Sequence, residues 1–144
     1  MTNTLLFPTD FSAASNAAVP WVRRVAADMR LSVCVLYVVA EPQIYAMLDM
    51  EPVPIPSLDE LADSAEKRMS AFIAANFAAM PDVTSRIRIG QPADEIVACA
   101  KAERATLIVM TTHGYSGVRH VLLGSTTEAV LRHASCPVLS VRNN

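Results

Sequence analysis

The chain has 144 residues, of which 52% are hydrophobic and 18% are charged, and its formal net charge is −2. This length fits one domain over residues 1–144. The weakly negative net charge gives no electrostatic attraction to nucleic acid or to an anionic membrane, so neither is expected as a partner. The first residues lack the basic and apolar regions of a signal peptide, and no apolar run approaches about 18 residues. We therefore expect a cytoplasmic protein with no membrane span.

Short apolar segments alternate with helical patterns along the chain. Thr4 to Phe7 predicts a buried strand, and Ser12 is then placed to cap a helix that extends to about Arg30. Pro20 falls inside this helical pattern, where it removes a hydrogen bond and predicts a kink. The almost entirely apolar segment from Leu31 to Val39 predicts the second strand.

A proline-rich segment follows the second predicted strand. Its four prolines exclude regular structure from Glu41 to Pro56, which predicts a long loop able to act as a lid. Met47 and Met50 in this loop are candidates to cover a bound base, although packing within the loop is the simpler interpretation. Ser57 then begins a capping-box motif, and apolar residues at helical spacing predict a helix to about Met80.

The second half of the chain repeats this alternation. Thr84 to Ile89 alternates arginine with isoleucine, which predicts an edge strand that ends at Gly90. Pro92 suits the first turn of the next helix, and the apolar block from Ala105 to Met110 predicts a buried strand.

The last two predicted elements complete the pattern. Ser125 and Glu128 have the spacing of a capping box, which predicts that a helix opens there. Pro137 introduces a terminal strand from Val138 to Val141. Five strands and four helices in alternation predict an open parallel sheet with helices on both faces.

The stretch from Thr111 to Thr127 leaves a predicted strand and enters a predicted helix, with glycine at positions 114, 117 and 124. Glycine lets the backbone approach a ligand closely, and the start of a helix directs unpaired N–H groups at it, which favours phosphate. Ligands of open parallel sheets bind at the carboxyl ends of strands where the winding reverses. Asp10 would meet the glycine-containing stretch there if the first and fourth strands are neighbours.

The cysteines and histidines give no sign of a redox or metal centre. The three cysteines are too far apart for a CxxC pair, and Cys34 and Cys99 lie in apolar surroundings that predict buried, inert thiols. The three histidines lack the spacing of a zinc site.

The sequence resembles the universal stress protein family over nearly its whole length. The matching segments are Thr9 to Ser12 after the first strand, Val38 and Val39 at the end of the second, Gly90 with Pro92, and Gly124 to Val141. The resemblance implies an α/β fold with an open five-stranded parallel sheet in the order 3-2-1-4-5 and helices on both faces. This is the Rossmann-like, adenine nucleotide alpha hydrolase-like arrangement.

The nucleotide-binding subgroup of this family carries a glycine, two residues, a second glycine, nine residues, and then glycine with serine or threonine. Here Gly114 is the second glycine, Gly124 with Ser125 closes the motif, and Thr111 occupies the position of the first glycine. A β-branched residue resists the close approach that glycine allows, although the Thr111 hydroxyl could itself donate to phosphate. No lysine follows Gly124, which excludes a Walker A loop.

The resemblance implies a site for ATP, with Mg²⁺ carried by the nucleotide and Asp10 as its candidate contact. The candidate nucleotide-binding residues are Thr9, Asp10, Val39, Gly90, Met110, Thr111, His113, Gly114, Gly124, Ser125 and Thr126. Alternatives stay open for three of them: Asp10 as a helix cap, His113 as a turn-stabilising residue, and Gly90 as a strand terminator. Arg119 and His120 are left outside the site as a solvated pair.

The resemblance also implies a homodimer that pairs through the terminal strand Val138, Leu139, Ser140 and Val141. The leading hypothesis is an ATP-binding stress-response sensor that is not an enzyme and hydrolyses ATP slowly at most, because no base, lysine or arginine clamp on the phosphates is recognisable. One alternative is a nucleotide-free dimeric interaction module in which Thr111 marks the loss of the ligand. Another is a slow ATP hydrolase on the same fold.

Overall fold

The computed structural model describes residues 3–40, 58–113 and 123–142. A five-stranded parallel sheet in the order β3-β2-β1-β4-β5 lies at its centre. The strands are β1 Thr4–Pro8, β2 Ser32–Ala40, β3 Val83–Gly90, β4 Ala105–Thr111 and β5 Val138–Val141. This order confirms the sheet expected from the family resemblance.

Helices cover both faces of the sheet. Their bounds are α1 Ala13–Asn16, α2 Val19–Met29, α3 Leu58–Asn76, α4 Pro92–Ala102 and α5 Ser125–His133. The side chains of β1 alternate between the faces, as in any strand. Leu5 and Phe7 pack with residues of α2 and α3, whereas Leu6 packs with residues of α4 and α5.

Two local predictions were wrong at helix starts. The first helix is not one kinked helix: α1 ends at Asn16 and α2 begins at Val19, which places Pro20 in the first turn of α2. Proline is tolerated there because the N–H it lacks would have no partner within the helix. Ser125 does not cap α5, since Gly124 holds the capping position and Ser125 is the first helical residue.

The first predicted cap is confirmed, because the Ser12 hydroxyl accepts the Ser15 N–H at 3.1 Å. Burial of Cys34 and Cys99 is confirmed as well, and the two thiols interact across the interface of β2 with α4. The hydrogen bond with Cys34 and burial both raise the pKa of Cys99, which keeps this thiol protonated and inert. None of the described helices is long and apolar enough to cross a membrane.

Several predictions lie outside the described residues. They concern the loop from Glu41 to Pro56 with its two methionines, the Ser57 cap, Gly114 and the Arg119–His120 pair.

Candidate functional site

A cavity of about 630 Å³ opens at the carboxyl ends of β1, β2 and β4. The strand order reverses its winding at β1, whose neighbours are β2 on one side and β4 on the other. Ligand sites of open parallel sheets occur at this position. The described lining residues are Pro8, Thr9, Asp10, Ser15, Leu36, Tyr37, Val38, Ala40, Arg68, Pro92, Ile96, Met110, Thr111, Gly124, Ser125, Thr126 and Thr127.

The loop from β1 to α1 forms one polar wall of the cavity and is held by its own side chains. The Thr9 hydroxyl oxygen accepts the Phe11 N–H at 3.0 Å and the Ser15 hydroxyl at 2.8 Å. Asp10 Oδ1 accepts the Ser12 N–H at 2.9 Å. Asp10 therefore shapes this loop and also lines the cavity, but it does not cap α1, since Ser12 holds that position.

The opposite polar wall joins the end of β4 to the start of α5. The Thr127 hydroxyl donates to the Thr111 carbonyl at 2.8 Å, and the Gly124 N–H donates to the Thr112 carbonyl at 2.6 Å. A Cβ atom on Gly124 would lie 3.3 Å from that Thr112 oxygen, which is closer than most real contacts. The close approach favours glycine at position 124, and the two hydrogen bonds tie the start of α5 to the end of β4.

The amino terminus of α5 has no side-chain cap, since Gly124 supplies none. The other two helix starts near the cavity differ: Ser12 accepts a backbone N–H of α1, and the Gln91 side chain accepts the Ala93 N–H of α4 at 2.9 Å. Unpaired N–H groups and the helix dipole make an uncapped helix start attractive to an anion. Ser125 and Thr126 at this start line the cavity, so the wall offers a place for a negative group.

A third side of the cavity is aromatic and cationic. The guanidinium carbon of Arg68 lies 4.9 Å from the centre of the Phe11 ring and 5.9 Å from that of Tyr37. The two ring centres are 4.8 Å apart. Among the described lining residues, Arg68 carries the only positive charge and Asp10 the only negative one.

Sequence reasoning missed Arg68 and Tyr37. An exposed arginine on a helix matches the ordinary pattern of a solvated face, so its local sequence carries no signal. The contact joins three elements that are far apart along the chain, and only the packing of α3 on the sheet brings them together. Sequence reasoning also missed Pro92 and Ile96 of α4, since their place in the cavity lining likewise depends on how a helix packs on the sheet.

The structure brings most of the predicted site residues to the cavity: Thr9, Asp10, Met110, Thr111, Gly124, Ser125 and Thr126. Val39 is buried beside it, and its neighbours Val38 and Ala40 form the lining instead. Gly90 ends β3 outside the lining, and its φ of 153° is a conformation that favours glycine whatever lies nearby.

His113 also lies outside the lining, and its Nδ1 is 3.1 Å from the Thr112 hydroxyl oxygen. The Thr111 hydroxyl donates to the His113 carbonyl at 2.7 Å. These contacts favour the turn-stabilising interpretation of His113. They also show that the Thr111 hydroxyl is committed to the backbone.

Comparison with known proteins identifies the relatives of this chain. The model of the universal stress protein family matches residues 1–142. The universal stress protein MJ0577 of Methanocaldococcus jannaschii is 28% identical over 159 residues, covering 99% of this chain and 96% of that protein. MJ0531 of the same organism is 51% identical over 53 residues, which are 37% of this chain and 31% of that protein.

Solved structures give the same result. The MJ0577 structure superimposes with a TM-score of 0.84 at 29% identity, covering 100% of this chain and 98% of that one. A universal stress protein solved in complex with cAMP superimposes with a TM-score of 0.64 at 26% identity, covering 99% of this chain and 98% of that one.

Proposed function

Because the chain belongs to the universal stress protein family, we propose that it binds an adenine nucleotide, ATP above all, in the cavity at the carboxyl ends of β1, β2 and β4. The observation that carries this proposal is the uncapped start of α5, where Ser125 and Thr126 line the cavity. A related protein in complex with cAMP supports an adenine nucleotide as the class of ligand.

The cavity offers different surfaces to the two ends of such a ligand. The phosphates fit the N–H groups at the start of α5, beside Gly124, where a helix dipole stabilises negative charge. The base fits an apolar wall made by Val38, Ile96 and Met110. A cavity of about 630 Å³ is within the usual range for small-molecule sites.

Thr111 in place of the first motif glycine is compatible with this site. Among the described residues other than glycine, only Phe11, Arg30 and Arg104 have positive φ. Thr111 therefore uses backbone geometry open to a β-branched residue. Its hydroxyl stabilises the turn through the His113 carbonyl.

Asp10 is the residue that would contact Mg²⁺ brought in with the nucleotide. Mg²⁺ is commonly held by one or two carboxylates together with substrate phosphates, and Asp10 supplies one carboxylate to the lining. The cation would neutralise phosphate charge. Our proposal is a sensor that reports nucleotide occupancy and hydrolyses ATP slowly at most, because the sequence has no Walker A lysine after Gly124 to hold the phosphates.

The test is the melting temperature of the full chain with and without millimolar ATP, each in the presence and absence of Mg²⁺. ATP at 100 times its Kd should stabilise the protein by about 2.7 kcal/mol, which gives a clear upward shift. No shift would contradict the proposal and favour the nucleotide-free module. Steady phosphate release over many turnovers at about one per second or faster would favour an enzyme instead.

We include a homodimer through β5 in this proposal because the two edges of the sheet differ. On β3, Arg86 pairs with Glu103 at 2.7 Å and Arg88 with Glu95 at 3.3 Å. Charged residues on an edge strand oppose pairing with another chain. The strand β5 at the other edge is short and apolar apart from one serine.

The backbone of β5 shows how to test that edge. Amides of β4 and of the residue after it donate to the carbonyls of Pro137 and Val141 at 3.0 and 2.9 Å. By strand alternation, the backbone groups of Val138 and Ser140 face the open edge. A proline at position 140 thus removes an N–H that the β4–β5 ladder does not use.

Ser140→Pro should convert a dimer to a monomer with little change in melting temperature, as measured by size-exclusion chromatography with light scattering. Leu139→Pro is the matched control, because it removes an N–H that faces β4 and should lower the melting temperature. A wild-type monomer, or a Ser140→Pro variant that stays dimeric, would contradict pairing through β5.

A further inference from the structure

Arg68 lies on the wall of the same cavity as the uncapped start of α5, and it belongs to a different helix, α3. None of the ion pairs within residues 3–40, 58–113 and 123–142 includes Arg68. Its guanidinium is held on aromatic rings instead, 4.9 Å from the Phe11 centre and 5.9 Å from the Tyr37 centre. The charge is thereby positioned at the cavity, and no carboxylate of the described residues forms an ion pair with it.

The Phe11 ring that contacts Arg68 is itself held against the hydrophobic core. The centres of the Phe11 and Phe72 rings are 5.3 Å apart in an edge-to-face arrangement, and Phe72 is buried. Phe11 has a φ of 62°, a costly conformation for a bulky residue. The hydrogen bonds from the Phe11 N–H to Thr9 and from the Ser12 N–H to Asp10 hold the turn in place.

The charges of the cavity indicate what Arg68 does there. Asp10 puts a carboxylate in the lining, and a nucleotide brings further negative charge into the same space. Arg68 is the only cation among the described lining residues. A guanidinium presents several N–H donors in a planar fork that matches the oxygens of phosphate.

We propose that Arg68, stacked on Phe11 and Tyr37, recognises the phosphate charge of the bound nucleotide and makes this site prefer phosphorylated ligands over nucleosides. This inference rests on the proposed nucleotide function and assigns its charge selectivity to one side chain. The cation–π contact holds the side chain near the ligand and lowers the entropy lost on binding.

The test compares ATP, ADP, AMP and adenosine binding by calorimetry on the full chain. Arg68→Met retains most of the apolar stem and removes the charge. It should weaken ATP binding by about ten- to a hundredfold, the range for a lost hydrogen bond to a charged group. The loss should be smaller for AMP and absent for adenosine. Arg68→Lys should restore the dependence on phosphate number but only part of the affinity, because lysine lacks the planar group.

Lys67→Met is the matched control, since it removes the same charge from the adjacent exposed position of α3 outside the cavity lining. It should leave all four affinities unchanged. Equal losses for ATP and adenosine in Arg68→Met, or wild-type ATP affinity in that variant, would overturn the role of Arg68 while the proposed function stands. A wild-type chain that binds none of the four ligands would overturn both.

Discussion

The two polar walls of the cavity use their hydrogen bonds in different ways. In the β1–α1 loop, Thr9, Asp10 and Ser12 each accept a backbone N–H of the same loop or of α1. In the β4–α5 wall, Thr111 and Thr127 donate to backbone carbonyls, while the first N–H groups of α5 receive no side-chain cap. The first wall satisfies its own donors, whereas the second leaves donors for a ligand.

We infer that the β1–α1 wall mainly maintains the shape of the cavity, whereas the β4–α5 wall mainly determines its affinity for a nucleotide. Removing the Ser12 cap from the β1–α1 loop should lower stability and leave nucleotide binding almost intact, whereas changes at Asp10 or Phe11 should also alter binding, through Mg²⁺ and through Arg68. Changes where β4 meets α5 should affect nucleotide binding directly, because the position of α5 decides where its N–H groups point.

The largest effect is expected for Gly124→Val. The Cβ atom alone would lie 3.3 Å from the Thr112 carbonyl oxygen, and the branched side chain must also occupy space beside the cavity. We expect the start of α5 to move and the ATP-induced shift in melting temperature to disappear. The measurement is a thermal unfolding curve with and without ATP.

Gly90→Ala is the control for that variant, because it also adds a side chain where the structure has glycine. Unlike Gly124, Gly90 lies outside the cavity lining. Gly90 has a φ of 153°, so alanine there should cost about 1–3 kcal/mol of stability. Its melting temperature without ATP should be lower than that of the wild type, but ATP should still raise it. If Gly124→Val keeps the shift as well, the phosphates do not bind at the start of α5.

The sequence predicts the parts of this cavity that depend on local patterns or on the family motif, but not those that depend on contacts between residues far apart along the chain. Strands β1, β2 and β4 were predictable because buried parallel strands are continuous apolar runs, and Thr9, Asp10, Gly124 and Ser125 followed from the family motif. Strand order followed from the resemblance. Arg68 was not predictable, because its contact with Phe11 and Tyr37 depends on how α3 packs on the sheet.

The error at the start of α5 has a local cause. Capping-box spacing favoured Ser125 as the cap, since serine is a common capping residue and Glu128 follows at the right distance. Gly124 takes that position, where its N–H donates to the Thr112 carbonyl and a Cβ atom would lie only 3.3 Å from the same oxygen. A tertiary contact therefore outweighed the local preference, and it left the helix start uncapped.

A smaller effect is expected for Thr127→Val. The substitution keeps the shape of a side chain that is 3% exposed but removes the hydrogen bond from its hydroxyl to the Thr111 carbonyl. Leaving a buried carbonyl without this donor should cost about 1–3 kcal/mol of stability. Because the bond ties α5 to β4, we also expect weaker ATP binding, measured by calorimetry.

Thr106→Val makes the same chemical change at an exposed position of β4 and serves as its control. Both its stability and its ATP affinity should stay close to those of the wild type. Loss of stability in Thr127→Val with full ATP affinity would show that the tie between β4 and α5 does not set the ligand site.

The smallest effect on binding is expected for Ser12→Ala in the opposite wall. The substitution removes the acceptor for the Ser15 N–H at the start of α1 and should cost about 1 kcal/mol, as the loss of a helix cap usually does. The ATP affinity should not change, because Ser12 is not among the lining residues. Ser70→Ala, in an exposed position of α3, should lose no stability. If Ser12→Ala weakens ATP binding as strongly as Thr127→Val does, the two walls are not independent and the division between shape and affinity fails.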